Sequence, residues 1–228
     1  MDCIILAGGF GTRLQAAVPG LPKALAPIQG VPFLKLLVQQ LVLSGQITQI
    51  TLALGYLAGQ IVEAFRGFSF PLEYSYENKP LGTGGAVKNA LDKTKSDPIL
   101  VLNGDTYVDL PFREFLSFHR ANKADATLAY RAMDDASRFG TLELAQDGRV
   151  RNFVEKKHQQ GLVSCGAYLL NRDVFKWMSH GDAFSLEKDV FPLLLQNRLF
   201  GFQCTGLFID IGTPDSYSQS QQLLRAIL

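Results

Sequence analysis

Nine residues near the start constrain the fold more than any others. They are Leu6-Ala7-Gly8-Gly9-Phe10-Gly11-Thr12-Arg13-Leu14, reached directly from the apolar run Cys3-Ile4-Ile5-Leu6. An unbroken apolar run that stops at glycines reads as a parallel strand buried on both faces. Glycines permit positive φ and let backbone N–H groups close on an anion with no Cβ in the way. Arg13 adds a cation whose planar fork holds two phosphate oxygens at once. Two common phosphate loops do not fit. No Gly-Lys-Ser/Thr is present, and Leu14 stands where a dinucleotide fingerprint needs its third glycine. Pro19 and Pro22 also break the helix that a dinucleotide fold would start here. Taken alone, the loop also admits the lesser reading of an ordinary glycine turn.

Strand and helix patterns alternate after it. Residues 33–44 are apolar except for a narrow face of Lys35, Gln39 and Gln40, which predicts a mostly buried helix ending at Gly45. Ile47, Ile50, Leu52 and Leu54 mark a second strand, residues 57–66 a second helix, and residues 72–76 alternate with period two. Residues 84–91 suit a helix and residues 99–102 another buried strand. Residues 126–131, 141–144, 150–154 and 165–170 read as extended, with Asp147-Gly148 as a hairpin turn. Residues 207–211 form the last strand, after which Thr213 caps a helix with Pro214 at its first position. No repeat, low-complexity tract or linker interrupts the pattern. The expectation is one α/β domain over residues 1–228, with a mixed, mainly parallel sheet flanked by helices and ligands at the carboxyl ends of its strands.

Composition removes several function classes. With 228 residues, 47% of them hydrophobic, the chain fills a core without disulfide or metal staples. Its 22 basic and 21 acidic residues leave a formal charge of +1 with no basic stripe, which argues against a nucleic-acid partner. Cys3, Cys165 and Cys204 are an odd number, far apart in apolar runs, and read as buried reduced thiols. The N-terminus lacks a signal-peptide pattern, and no apolar run approaches the ~18 residues that span a bilayer. A cytoplasmic protein with no membrane partner is expected.

Three further residues carry candidate chemistry. Lys23 is the only cation in Pro22-Lys23-Ala24-Leu25-Ala26-Pro27-Ile28, either a solvated surface lysine or a rigidly held charge beside the glycine loop. Asp105 ends the apolar strand in Asn103-Gly104-Asp105, and Asp210 lies within Leu207-Phe208-Ile209-Asp210-Ile211. A carboxylate in such a run is costly unless paired or bound to a cation. Both aspartates stand near strand ends and can meet at one edge of a single sheet. Mg²⁺ takes one or two carboxylates plus phosphate oxygens and water, so the pair suits it; capping of neighbouring helices is the plain alternative. His119, His158 and His180 show no ligand spacing and are expected at surface or loop positions.

Together the segments resemble a known family. Leu6 to Leu14, then Pro22-Lys23 with Pro27-Ile28, Gly30 and Pro32, look like the signature of the sugar-1-phosphate nucleotidyltransferases. Leu81-Gly82-Thr83-Gly84-Gly85-Ala86, Asn103-Gly104-Asp105, Phe139-Gly140, Phe153-Val154-Glu155-Lys156, Gly166 to Tyr168 and Ile209 to Pro214 follow in the family's order. The resemblance implies a Rossmann-like core, Mg²⁺ on Asp105 and Asp210, and direct attack of a sugar 1-phosphate on the α-phosphorus of an NTP. It assigns triphosphate handling to Gly8, Gly9, Gly11, Thr12, Arg13 and Lys23. Gly82 and Thr83 fall with the nucleotide, and Gly140, Glu155, Lys156 and Gly166 with the sugar phosphate. It leaves a homodimer open.

Within that family the likeness is strongest to guanylyltransferases for D-glycero-α-D-manno-heptose 1-phosphate. It rests on Tyr74-Ser75, Glu77, Pro80 to Gly85, Arg138-Phe139-Gly140-Thr141, Phe184-Ser185 with Glu187, and Phe208 to Gly212. Thymidylyl and uridylyl relatives carry glutamine near the position of Glu77. A carboxylate there only accepts hydrogen bonds, which complements the N1–H and N2–H₂ donors of guanine. GTP is therefore the expected NTP, although Glu77 also reads as a solvated loop charge. Mannose 1-phosphate with GTP, a uridylyl or thymidylyl transferase, and a catalytically silent nucleotide-sensing protein are the competing readings.

Overall fold

The computed structural model describes residues 1–155, 160–177 and 181–226. In chain order the first half comprises β1 (Asp2–Leu6), β2 (Pro27–Ile28), β3 (Val31–Pro32), α1 (Phe33–Leu43), β4 (Gln49–Leu54), α2 (Ala58–Ala64), β5 (Leu72–Tyr76), α3 (Gly82–Ala90) and β6 (Ile99–Asn103). Then come β7 (Thr106–Val108), α4 (Phe112–Ala121), β8 (Ala126–Met133), β9 (Gly140–Leu144), β10 (Val150–Glu155) and β11 (Gly161–Leu170). The chain closes with α5 (Phe191–Leu194), β12 (Leu199–Gln203), β13 (Phe208–Asp210) and α6 (Pro214–Leu223).

Nine strands form one sheet in the order β10-β9-β11-β6-β1-β4-β5, with β8 paired to β11 and β12 to β8. The neighbours β6, β1, β4 and β5 are parallel. Strands β11 and β10 run against the other seven, so the sheet is mixed and mainly parallel, as expected. Both faces are covered, which is why β1 is apolar from Cys3 to Leu6 and β6 from Ile99 to Leu102. Cys3, Ile5, Leu100 and Leu102 join the core under α1, whereas Ile4, Ile99 and Val101 join the core under α3. The predicted strand and helix positions recur with small end shifts. Helix α1 stops before Gly45 at φ 64°, and Gly148 at φ 82° turns β9 into β10. Thr213 and Ser216 form a capping box around Pro214.

Three expectations need correction. Strand β13 does not join the large sheet; it pairs only with β7, in a separate two-stranded sheet, with Asp210 opposite Thr106. The two aspartates therefore do not share an edge of one sheet. Helix α4 was not expected, although Phe112, Phe115 and His119 are buried at helical spacing along it. His119 is accordingly no surface histidine. It is buried, with Nδ1 at 2.8 Å from Thr127 Oγ1 and Nε2 at 3.0 Å from Asn171 Oδ1. His158 and His180 lie outside the described residues. The cysteines are all free and buried, and no helix among the described residues is long and apolar enough to cross a membrane.

Burial holds the His119 imidazole below its ordinary pKa, against the opposing hydrogen bond of Asn171. The unfolded chain takes up this proton near pH 6.5 and the native chain only at lower pH. Stability should therefore fall as pH drops below about 6.5. His119→Gln should cost about 1–3 kcal/mol at pH 7.5 by breaking buried hydrogen bonds, yet lose less on acidification. Urea unfolding at pH 7.5 and 5.5 checks this; an equal acid loss in both proteins would contradict it.

Candidate active site

A cleft of about 580 Å³ opens where β1, β4 and β6 end. Its walls bring together Gly8, Gly9, Gly11, Thr12, Arg13, Lys23, Glu77, Gly82, Thr83 and Asp105. The glycine loop and the Lys23 segment are adjoining parts of one surface. Gly11 has φ 61°, and a Cβ there would stand 2.7 Å from Lys23 Cβ. Past Pro22 the chain makes a single 3₁₀ turn, Lys23–Leu25, which carries the lysine inward. Its Nζ forms an ion pair with Asp105 Oδ2, and the lysine side chain is only 12% exposed. Lys23 is thus not a solvated surface charge. Thr12 and Arg13 are exposed on the loop, and no ion pair to Arg13 is seen among the described residues.

Asp105 follows Gly104, whose N–H donates to Leu6 O at 2.9 Å. A Cβ on Gly104 would stand 2.6 Å from that same oxygen, so glycine is what lets this turn lie against the end of β1. Asp210 reaches the place from the small sheet, tied by the Ile211 N–H donating to Asp105 O at 3.0 Å. Its Oδ1 accepts from Arg138 Nη2 at 2.8 Å and from the Gly212 N–H at 2.9 Å. Burial, and next the Asp105 charge, push the Asp210 carboxyl above its usual range, while Lys23, Gly212 and Arg138 act the other way. Asp105 lines the cleft and Asp210 stands beside it, two residues before the lining Gly212. Two part-buried carboxylates repelling one another form a donor set that fits Mg²⁺, which takes one or two carboxylates and completes its shell with phosphate and water. Among the described residues no group of three or more metal-binding side chains forms.

Glu77 follows β5, and its N–H donates to Leu54 O at 2.8 Å. One carboxylate oxygen, Oε2, accepts from the Leu81 N–H at 3.0 Å, while Oε1 lies 2.6 Å from where a Gly8 Cβ would be. Burial raises its pKa and the Leu81 bond partly offsets this. It is therefore a half-buried, oriented carboxylate and not a solvated loop charge.

The other glycines make room for protein. Gly82 has φ 70°, and a Cβ there would stand 2.6 Å from Phe184 O; a Cβ on Gly140 would stand 2.9 Å from the Phe153 ring. Gly166, at φ 68°, lies 2.7 Å from both Asn103 Nδ2 and Thr106 Oγ1 by the same measure. Glu155 pairs in register with Gly140. Lys156 and the Glu155 side chain lie outside the described residues.

Two contributors carried no chemistry in the sequence. Arg138 grips Asp210, as above. The segment around Phe184 supports the start of α3, where Phe184 O accepts from the Gly84 and Gly85 N–H groups at 2.9 and 3.1 Å. Glu187 adds a carboxylate that accepts from Thr83 Oγ1 at 2.7 Å, Ser185 Oγ at 2.8 Å and Tyr168 OH at 3.3 Å. Only the strings Arg138-Phe139-Gly140-Thr141 and Phe184-Ser185 with Glu187 marked these places.

The chain matches the family model for Nucleotidyl transferase over residues 2–226. It is 39% identical to the D-glycero-alpha-D-manno-heptose 1-phosphate guanylyltransferase of Aneurinibacillus thermoaerophilus, over 99% of both chains. It is 38% identical to the protein of that name from Campylobacter jejuni, over 95% of this chain and 97% of the relative. The crystal structure of HddC from Yersinia pseudotuberculosis complexed with GMP-PN superimposes with a TM-score of 0.87 at 33% identity, covering 98% of this chain and 99% of that one.

Because the Asp210 carboxyl is raised, the native chain holds its proton where the unfolded chain has lost it, and stability falls as pH rises through that window. Asp210→Asn keeps an Oδ1 acceptor for Arg138 and Gly212 and removes the repulsion. In EDTA at pH 7 it should melt no lower than the wild type, and its advantage should vanish below pH 4. Thermal melts across that range check this, and a clearly lower melting temperature at pH 7 would contradict it.

Proposed function

The chain belongs to the nucleotidyl transferase family, and from that premise we propose that it transfers GMP from GTP to D-glycero-α-D-manno-heptose 1-phosphate, releasing pyrophosphate. We read residues 1–228 as a single catalytic domain. The observation that supports the reading best is that an oriented acceptor, Glu77, a glycine loop and the Lys23–Asp105 pair all line one cleft. The relatives' names and the GMP-PN complex of HddC point to the same nucleotide and sugar.

In this reading an oxygen of the sugar phosphate bonds to the α-phosphorus of GTP. The bond from that phosphorus to the β-bridging oxygen breaks, and pyrophosphate leaves with the electron pair. The nucleophile is already ionised at neutral pH, so no general base or covalent residue is required. What remains is alignment and charge. Backbone N–H groups of Gly8, Gly9, Gly11 and Thr12 close around the triphosphate, and Arg13 and Lys23 balance charge on the leaving group. Asp105 and Asp210 would hold Mg²⁺, which when bound neutralises phosphate charge. Gly82 and Thr83 bound the nucleotide. By the family resemblance Gly140, Glu155, Lys156 and Gly166 serve the sugar phosphate, with Glu155 accepting from hydroxyls and Lys156 meeting the phosphate.

Glu77 reads the base. Its Oε2 accepts from the Leu81 N–H, which restrains the carboxylate, and acceptor capacity remains for the N1–H and N2–H₂ of guanine. Three buried reduced thiols suit the cytoplasm as the compartment.

A panel of NTPs against sugar 1-phosphates, read by pyrophosphate release, tests the reading. GTP should lead ATP, UTP and dTTP by about 10²-fold, below the ~10⁴ of a fully buried polar reader because Glu77 is only half-buried. ITP, lacking the 2-amino group, should fall between, and Glu77→Gln should narrow the gap to the pyrimidine nucleotides. Asp105→Asn should lose activity by on the order of 10²-fold or more. Equal use of ITP and GTP, with no effect of Glu77→Gln, would remove Glu77 as the base reader.

A further inference from the structure

Arg138 has no part in the transfer described above, yet it makes the charged contact to one of its two carboxylates. Its Nη2 donates to Asp210 Oδ1 at 2.8 Å and reaches Ser216 Oγ at 3.3 Å. The Gly212 N–H donates to the same Oδ1 at 2.9 Å. With two donors on Oδ1, the carboxylate cannot rotate without breaking both bonds. No hydrogen bond to Oδ2 is seen among the described residues.

The guanidinium is itself held in place. It lies 5.5 Å from the centre of the Phe139 ring, and that ring packs edge-on against Phe208, two residues before Asp210. Ser216 belongs to the capping box of α6. The loop before β9, the strand β13 and the start of α6 therefore meet at one guanidinium. Asp105 has its own cation in Lys23, so each carboxylate carries one basic partner.

We propose that Arg138 is the positioning residue of the metal carboxylate. It locks Asp210 through Oδ1 and so presents Oδ2 to a divalent cation. The proposal rests on Asp105 and Asp210 being the Mg²⁺ ligands. Partners that orient a ligating carboxylate typically contribute 10–100-fold to metal affinity. Nη2 alone reaches both Asp210 and Ser216, while the planar guanidinium lies over the Phe139 ring; a lysine ammonium keeps the charge but lacks the flat surface that the ring holds in place. A simple charge effect has the opposite sign, since removing a cation beside a carboxylate strengthens metal binding.

The test titrates Mn²⁺ into the metal-free protein and follows loss of the free-ion electron paramagnetic resonance signal. Melting curves in EDTA report separately on folding. Arg138→Met should weaken Mn²⁺ binding by about 10–100-fold, Arg138→Lys should weaken it less, and Asp210→Asn should abolish it. If Arg138→Met does not fold, Arg138→Lys decides, with unchanged binding counting against the proposal. Unchanged or tighter binding in Arg138→Met, with binding still lost in Asp210→Asn, would overturn the positioning role and leave the metal reading standing. Equal binding by the wild type and Asp210→Asn would overturn the metal reading and the proposal with it.

Discussion

Two carboxylates that stand 105 residues apart in the chain, Asp105 and Asp210, set the terms for everything around them. Asp105 arrives on the turn after a central parallel strand, and Asp210 on a short strand bonded to the very next segment. Burial and mutual repulsion make their shared place unfavourable for a second negative charge. The surrounding protein offsets this with one cation for each carboxylate, Lys23 and Arg138, and with the Gly212 N–H. In the proposed function a divalent cation joins the same two carboxylates and eases their mutual repulsion.

Close backbone approach is the second requirement. The turn carrying Asp105 lies against β1 only because residue 104 has no Cβ, and the glycine loop lies against Lys23 only because residue 11 has none. On the other side of the cleft, the start of α3 is held against the Phe184 segment by the same device at Gly82. Glycines in these motifs thus make protein surfaces meet at the cleft. In the proposed function the backbone N–H groups of the loop face the phosphates, while Glu77 accepts from the Leu81 N–H.

Much of this was legible in the residues. The apolar run ending at Gly8 and Gly9 announced β1 and its loop, and the costly carboxylates Asp105 and Asp210 announced a charged site. What escaped depended on contacts distant in sequence. Residues 207–211 read as a strand, but nothing local says that β13 pairs with β7 instead of the large sheet. His119 looked like a loop histidine because its partners, Thr127 and Asn171, lie on a strand and a loop beyond the helix. Arg138 and Glu187 stood in recognisable strings, yet their carboxylate and hydroxyl partners are 72 and 104 residues away. Periodicity reports which face is buried; it does not report which buried polar groups meet.

In the proposed function, transfer depends on a cation held by Asp105 and Asp210 together. Anomalous diffraction from crystals grown with Mn²⁺ and a non-hydrolysable GTP analogue addresses it most directly. The expected result is a single strong anomalous peak in coordination contact with an oxygen of each carboxylate and of the nucleotide phosphates. A peak held by the phosphates alone, or by residues other than Asp105 and Asp210, would contradict this assignment.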